Sequence, residues 1–211
     1  MRTAEPTRLF DLLERRKRQA PRRAVFGYKE NGAWAHHYID EYIEKSNLIS
    51  YALMHLGVQR GENIALISTG RPEWNYIDMG VQQIGAVLVP IYPTISESEY
   101  LYILTDAEVR YIIVESESLL HKIETIRDHL PLLQEIYTIQ PIKGKARLTK
   151  LYEMGSRDPQ PERLQQIKDR ITTDDVATMI YTSGTTGEPK GVMLSHKGIL
   201  TNVLGIKDSP D

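Results

Sequence analysis

One segment of the sequence combines small, hydroxylated and charged residues in a pattern that suits an anion. It runs from Tyr181 to His196, and from residue 182 it reads Thr-Ser-Gly-Thr-Thr-Gly-Glu-Pro-Lys. Glycine lets the backbone adopt positive φ and lets amide N–H groups approach an anion closely. Hydroxyl groups can donate to phosphate oxygens, and a lysine adds a full positive charge. The residues that we predict to bind a polyphosphate are Thr182, Ser183, Gly184, Thr185, Thr186, Gly187 and Lys190.

The spacing of this segment differs from that of the phosphate loop of the P-loop NTPases, Gly-x4-Gly-Lys-Ser/Thr. Gly184 and Gly187 are three positions apart, and Lys190 is followed by Gly191 rather than by Ser or Thr. No magnesium-binding hydroxyl therefore follows the lysine, and the Gly-x-Gly-x-x-Gly fingerprint of dinucleotide sites is also missing. The alternative interpretation is a flexible Ser/Thr/Gly turn between two strands. The length and the order of the pattern favour an anion-binding loop.

The elements that must position this loop are predicted by alternating short apolar runs and longer helical stripes. Asn31-Gly32 between two such runs predicts a β-hairpin. An apolar stripe predicts a helix from about Asp40 to Leu56, with Gly57 as its left-handed cap. Further strands are predicted at 63–68, 86–91, 110–115, 135–139 and 176–181, and further helices at 72–84, 96–105, 118–129 and from 195 onward. The helix at 96 begins with the capping-box pair Ser96 and Glu99, and the last one is capped at Ser195.

Repeated β-α-β units with helices of this length predict an α/β fold, a mostly parallel sheet covered by helices on both faces. The strand at 176–181 leads directly into the loop. Residues 140–172 contain several prolines and a glycine, and we expect a looser connector there that holds two short helices. A short extended piece after the loop is expected to lead into the final helix.

Composition narrows the class of protein. The 211 residues are 41% hydrophobic and 26% charged, with a net charge of −2 and a pI of about 6.3. These values are typical of a globular chain and give no electrostatic case for a nucleic-acid partner. There is no cysteine. This excludes disulfides, thiolate chemistry and cysteine zinc sites, and it suits a reducing compartment.

The amino terminus lacks the apolar core of a signal peptide. The longest apolar run, Gly85 to Tyr92, is far shorter than the roughly 20 residues of a membrane helix, so we expect a cytoplasmic protein. The basic cluster 15–18 (Arg-Arg-Lys-Arg) follows an apolar stretch at the end of a short amphipathic helix. A solvated helix face explains it, and the alternative is weak contact with an anionic membrane surface.

Other polar residues are expected to have structural roles. His36 and His37 are adjacent, so in a strand they point to opposite faces and cannot share a metal ion. His196 is expected to pack against the loop or to cap a helix. Asp174 and Asp175 are expected to be solvated turn residues rather than a metal pair. We predict no metal site in this chain.

The segment from Tyr181 to His196 resembles the signature phosphate-binding loop of the adenylate-forming superfamily, which contains acyl-CoA synthetases, peptide-synthetase adenylation domains and luciferases. The stretch Arg71-Pro-Glu-Trp-Asn, together with residues 85–94, resembles the long-chain fatty-acyl-CoA synthetase branch. Residues 34–62, 104–111 and Asp78 also match, so the resemblance covers nearly the whole chain.

The resemblance implies an enzyme that adenylates a long-chain fatty acid with ATP and Mg²⁺ and then transfers the acyl group to coenzyme A. Residues 182–190 would hold the β- and γ-phosphates, and Lys190 would neutralise their charge. It also implies that residues 1–211 are the amino-terminal portion of the AMP-binding domain, because the family's adenine-, ribose- and magnesium-binding motifs and its catalytic lysine lie further downstream. We therefore expect a truncated or proteolytic piece that is inactive alone.

Two alternatives remain. An adenylation domain could load a carrier protein, because the regions that select the thiol acceptor are absent. A different class is a binding module that only senses or sequesters nucleotide. Against the module, an incomplete domain would leave a sizeable apolar patch exposed. Acyl-chain length and oligomeric state are not predicted.

Overall fold

The computed structural model of the chain describes residues 6–30, 32–182 and 187–207. Strands β1 (Phe26–Glu30) and β2 (Ala33–His37) form an antiparallel hairpin. The predicted turn residue Asn31 lies outside the described residues, while Gly32 has φ +82°. The other strands are β3 (Asn63–Ile67), β4 (Val87–Ile91), β5 (Tyr111–Val114), β6 (Glu135–Thr138), β7 (Val176–Thr182) and β8 (Lys190–Ser195).

Within the described residues, these last six strands form one sheet in the order β6-β5-β3-β4-β7-β8. Every neighbouring pair is parallel except β7–β8, which is antiparallel. The predicted α/β fold with a mostly parallel sheet is therefore confirmed. The short extended piece expected after the loop is a full strand at the sheet edge, where it pairs antiparallel with β7.

Helices cover both faces of the sheet. They are α1 (Asp11–Gln19), α2 (Ile39–His55), α3 (Pro72–Gln82), α4 (Glu97–Asp106), α5 (Glu117–Ile126), α6 (Leu148–Arg157), α7 (Pro161–Arg170) and α8 (His196–Lys207). Successive residues of a strand point to opposite faces. Accordingly, Ile64 and Leu66 of β3 enter one apolar core, whereas Ala65 and Ile67 enter the other. The first core lies against α1, α2 and α3, and the second against α4 and α5.

Local signals placed most helix ends correctly. Ser96 and Glu99 form the predicted capping box at the start of α4, and Gly57 has φ +78° after α2. The helix predicted at 118–129 ends earlier, because α5 gives way at Arg127 to a 3₁₀ turn, Arg127–His129. The tighter turn is a common way to end a helix.

The segment 140–172 contains the two predicted short helices, α6 and α7. Their apolar faces are buried through Leu148, Leu151 and Leu164. Gly155 of α6 lies directly against the backbone of Leu48 in α2, where a β-carbon would have no room. The expected connector is thus part of the packed structure. In the described part of the chain, no helix is both long enough and apolar enough to cross a membrane.

Candidate functional site

The predicted anion-binding loop connects β7 to β8 at the carboxyl end of β7. Ligands of open α/β sheets bind at the carboxyl ends of the parallel strands. Thr182 and Lys190 are paired across the two strands, so the structure brings the first and last predicted site residues together. Ser183, Gly184, Thr185 and Thr186 lie outside the described residues.

The described part of the loop has the features that an anion site needs. Gly187 has φ +97°, a conformation that side chains rarely adopt, and no atom of the described residues lies within 4 Å of the position of a β-carbon there. The glycine is therefore required by its backbone conformation. Thr182 and Lys190 are exposed, so their hydroxyl and ammonium groups are accessible to a ligand.

The base of the loop is held by Tyr181, the residue before Thr182. Its ring is buried, and its hydroxyl donates to Asp106 Oδ2 at 2.5 Å, at the end of α4. Burial raises the pKa of Tyr181, and the hydrogen bond to Asp106 raises it further. Asp106 could not be predicted from the sequence as part of the site, because no pattern in the chain relates it to a residue 75 positions away.

The other end of the β7–β8 hairpin is held by Asp175, immediately before β7. Its two carboxylate oxygens accept hydrogen bonds from Arg60 Nη2 at 2.5 and 2.7 Å, and one also accepts from the Thr172 amide at 2.9 Å. Burial alone would raise the pKa of Asp175, but the Thr172 amide and the Arg60 guanidinium hold it below its usual value. The prediction of a solvated turn residue is wrong for Asp175, because Arg60 reaches it from a distant loop. Asp174 is exposed as expected.

His196 connects the hairpin to the amino-terminal segment. Its Nδ1 accepts a hydrogen bond from the Leu9 amide at 3.2 Å, and its ring meets the Phe10 ring edge-on at 5.5 Å. Burial lowers the pKa of His196 to about 4. Of the two roles expected for His196, packing against the loop is wrong. The loop lies at the beginning of β8, whereas the imidazole follows the end of that strand. The predicted cap at Ser195 is confirmed, since its hydroxyl accepts from the Gly198 amide at 3.2 Å.

The two adjacent histidines differ in environment. His36 is exposed, whereas His37 Nδ1 lies 2.7 Å from Glu41 Oε2 and its ring stacks on Tyr28. Among the residues that the structure describes, no three His, Asp or Glu side chains are grouped so that they could hold a metal ion. We therefore assign no Mg²⁺ ligand to a described residue.

Comparisons with known proteins agree on a single family. The family model described as "AMP-binding enzyme" matches residues 13–211. The chain is 30% identical over 191 residues to the long-chain-fatty-acid–CoA ligase FadD15 of Mycobacterium bovis, covering 90% of this chain and 32% of that protein. It is 31% identical over 181 residues to the long-chain-fatty-acid–CoA ligase ACSBG1 of Bos taurus, covering 83% of this chain and 25% of the relative. The chain thus spans about a third or less of the length of these curated relatives.

Solved structures share the fold. The anthranilate CoA ligase AuaEII, solved with anthranoyl-AMP, superposes with a TM-score of 0.77 at 30% identity, over 95% of this chain and 37% of that one. A fatty acyl CoA synthetase of Mycobacterium tuberculosis gives a TM-score of 0.79 at 20% identity, over 97% of this chain and 38% of the other. Because the family model spans nearly all of the sequence, the chain belongs to the AMP-binding enzymes, the adenylate-forming family that includes acyl-CoA ligases.

Proposed function

We propose that the chain is the amino-terminal portion of the AMP-binding domain of a long-chain fatty-acid–CoA ligase. The curated relatives cited above support the substrate class. The observation that carries the proposal is the pairing of Thr182 with Lys190 at the base of a Gly/Thr-rich loop, at the carboxyl end of a parallel strand.

The reaction has two steps. In the first, a fatty-acid carboxylate oxygen attacks the α-phosphorus of ATP, and the bond to the β-phosphate oxygen breaks to release pyrophosphate. In the second, the thiol of coenzyme A attacks the acyl carbon of the adenylate, loses its proton and displaces AMP to leave a thioester. Mg²⁺, bound with the ATP phosphates, would neutralise part of their charge. Phosphoryl transfer of this kind is catalysed mainly by positioning and charge stabilisation.

The residues of this chain would act in the first step. Lys190 would pair with the β- and γ-phosphates, and the backbone around Gly187 would direct amide groups towards them. Thr182 would donate its hydroxyl to a phosphate oxygen. After pyrophosphate leaves, no dense negative charge remains for Lys190 to contact. The loop should therefore matter in adenylation and not in thioester formation.

The test is Lys190→Ala in the complete protein, with the two half-reactions assayed separately. Hydrogen bonds to charged groups contribute about 1.5–3 kcal/mol, so adenylation from ATP and palmitate should slow about ten- to a hundredfold. Thioester formation from pre-made palmitoyl-adenylate and coenzyme A should be unchanged. An effect on ATP binding would appear in KM, and one on the departing pyrophosphate would appear in kcat.

The matched control is Lys143→Ala, since Lys143 is also exposed but lies in the connector between β6 and α6. It should leave both half-reactions unchanged. Equal losses in the two half-reactions of Lys190→Ala would contradict the assignment. Replacing coenzyme A with a carrier-protein thiol in the second assay tests the alternative acceptor. Nucleotide binding without pyrophosphate exchange would support a binding module instead.

A further inference from the structure

Helix α4 contacts the base of the loop through its last residue. Asp106 Oδ2 accepts the hydrogen bond from the Tyr181 hydroxyl, with 2.5 Å between the oxygens. The acceptor is a carboxylate, and such charge-assisted hydrogen bonds are shorter and stronger than neutral ones. Tyr181 is only 8% exposed, and its ring is part of the core that β3, β4 and α4 share. This hydrogen bond thus holds the buried ring of Tyr181 to the last residue of α4.

The same ring also contacts the strand on the far side of the loop. Tyr181 and Gly191 are paired between β7 and β8. A β-carbon on Gly191 would lie 3.1 Å from Tyr181 Cζ and 2.9 Å from Met179 Sδ. The Tyr181 ring therefore occupies the space that a side chain at position 191 would need. Tyr181 immediately precedes Thr182, and Gly191 immediately follows Lys190. A ring that is attached at one end of the loop therefore packs against the strand at its other end.

The charges of the loop and of the end of α4 also act on one tyrosine of α4. Tyr102 lies one helical turn before Asp106 on α4. Burial raises the pKa of Tyr102, and the nearby carboxylates of Asp106 and Glu188 raise it further. Glu188 belongs to the second half of the loop, so the charge of the loop reaches α4.

We propose that Asp106 is a positioning residue for the phosphate-binding loop. It holds the Tyr181 hydroxyl, the hydroxyl fixes the ring, and the ring sets the separation of the two strand ends that carry Thr182 and Lys190. This inference rests on the proposed function of the loop and adds a residue from α4 to it. Displacing a catalytic or binding group by about 1 Å is enough to weaken its action strongly.

The experiment measures the affinity of the complete protein for ATP and for inorganic pyrophosphate by calorimetry, alongside the two half-reactions. Tyr181→Phe removes only the hydroxyl, and Asp106→Ala removes the acceptor. Each variant should weaken both affinities about three- to tenfold, the effect of losing one hydrogen bond. Asp106→Asn keeps an acceptor oxygen and should stay within about twofold of the parent protein. The KM for palmitate and the thioester-forming half-reaction should not change.

The control is Tyr111→Phe, because Tyr111 is also buried and its hydroxyl also hydrogen-bonds, to Gln134, but it lies on β5. It should lower the melting temperature without changing either affinity. Unchanged phosphate affinities in Tyr181→Phe and Asp106→Ala would overturn the inference and leave the proposed function intact. Equal losses in both half-reactions, matched by Tyr111→Phe, would also overturn it, because they indicate general destabilisation. If the parent protein binds ATP and pyrophosphate but does not catalyse pyrophosphate exchange into ATP, the proposed function is refuted. The comparison of affinities between the variants still decides the inference in that case.

Discussion

At the scale of single residues, His196 holds together parts of the chain that are far apart in sequence. Its Nδ1 accepts from the Leu9 amide, and its own amide donates to the Asp175 carbonyl at 3.1 Å. The side chain is 1% exposed. An imidazolium could not accept the Leu9 hydrogen bond and would be poorly solvated there. The folded protein therefore favours the neutral ring.

We predict that this histidine makes the protein less stable at mildly acidic pH. Its pKa is about 4 in the folded state and about 6.5 when exposed. The unfolded chain binds the proton first, so the free energy of unfolding should fall between pH 6.5 and 4, by at most about 1.4 kcal/mol per pH unit. Above pH 6.5 the contribution is fully present. Urea unfolding at several pH values measures this slope.

The variant His196→Asn should flatten the slope, because an amide oxygen can accept the Leu9 hydrogen bond but does not titrate. The neighbouring carboxylates Asp11 and Asp175 have lowered pKa values and stay charged in this window. His36→Asn is the control, since His36 is exposed and should leave the slope unchanged. An identical slope in His196→Asn and the parent protein would rule out His196 as its source.

The role of a residue could be predicted from the sequence where it depends on that residue's own backbone conformation. It could not be predicted where it depends on a contact with a distant part of the chain. The positive φ of Gly187 follows from the loop pattern alone. The partners of Asp175 and His196 are separated from them by 115 and 187 positions. No local pattern encodes such contacts, which is why these two residues were misjudged.

At the scale of elements, α2 is packed between two helices that approach it through glycine. Gly80 of α3 leaves no room for a side chain, because a β-carbon would lie 2.7 Å from Ile49 Cβ and 2.9 Å from the Ser46 carbonyl oxygen. Gly155 of α6 lies even closer to α2, against the backbone of Leu48. Glycine on the partner helices sets the distance at which this layer packs.

We predict that Gly80→Ala destabilises the protein. In an isolated helix the change would stabilise by up to about 1 kcal/mol. Here the added methyl group meets α2, and overpacking of this kind costs about 1–3 kcal/mol. Gly70→Ala is the control, since Gly70 is in a loop, has no positive φ, and has no atom of the described residues within 4 Å of its β-carbon position. The urea midpoint should fall for Gly80→Ala only, and a rise at position 80 would contradict the close approach.

Element boundaries could be predicted where a local signal exists. The Ser96–Glu99 box and the Gly57 cap both fall at the predicted positions. The early end of α5 at Ile126 has no such signal. The close packing of α6 was also not predictable, since it depends on one glycine meeting the backbone of a helix about a hundred residues earlier.

At the scale of the whole molecule, the chain contains the mostly parallel sheet and the proposed phosphate-binding loop but spans 32% of the relative FadD15. We predict that residues 1–211 expressed alone show only background pyrophosphate exchange with ATP and palmitate. The complete protein in the same assay is the control. Activity within about tenfold of the complete protein would mean that the remaining residues lower the barrier by less than about 1.4 kcal/mol, contrary to this prediction.

The pairing of β4 with β7 has a consequence for how the protein folds. The Thr178 hydroxyl donates to the Leu88 carbonyl across 90 residues of chain, whereas β7 and β8 are joined by a short connection. A hairpin of this kind can form in microseconds, but long-range parallel pairing must wait for a large loop to close. We expect the loop-bearing hairpin to join the sheet late, after the folding transition state. Substitutions that loosen it would then mainly accelerate unfolding and leave the folding rate almost unchanged.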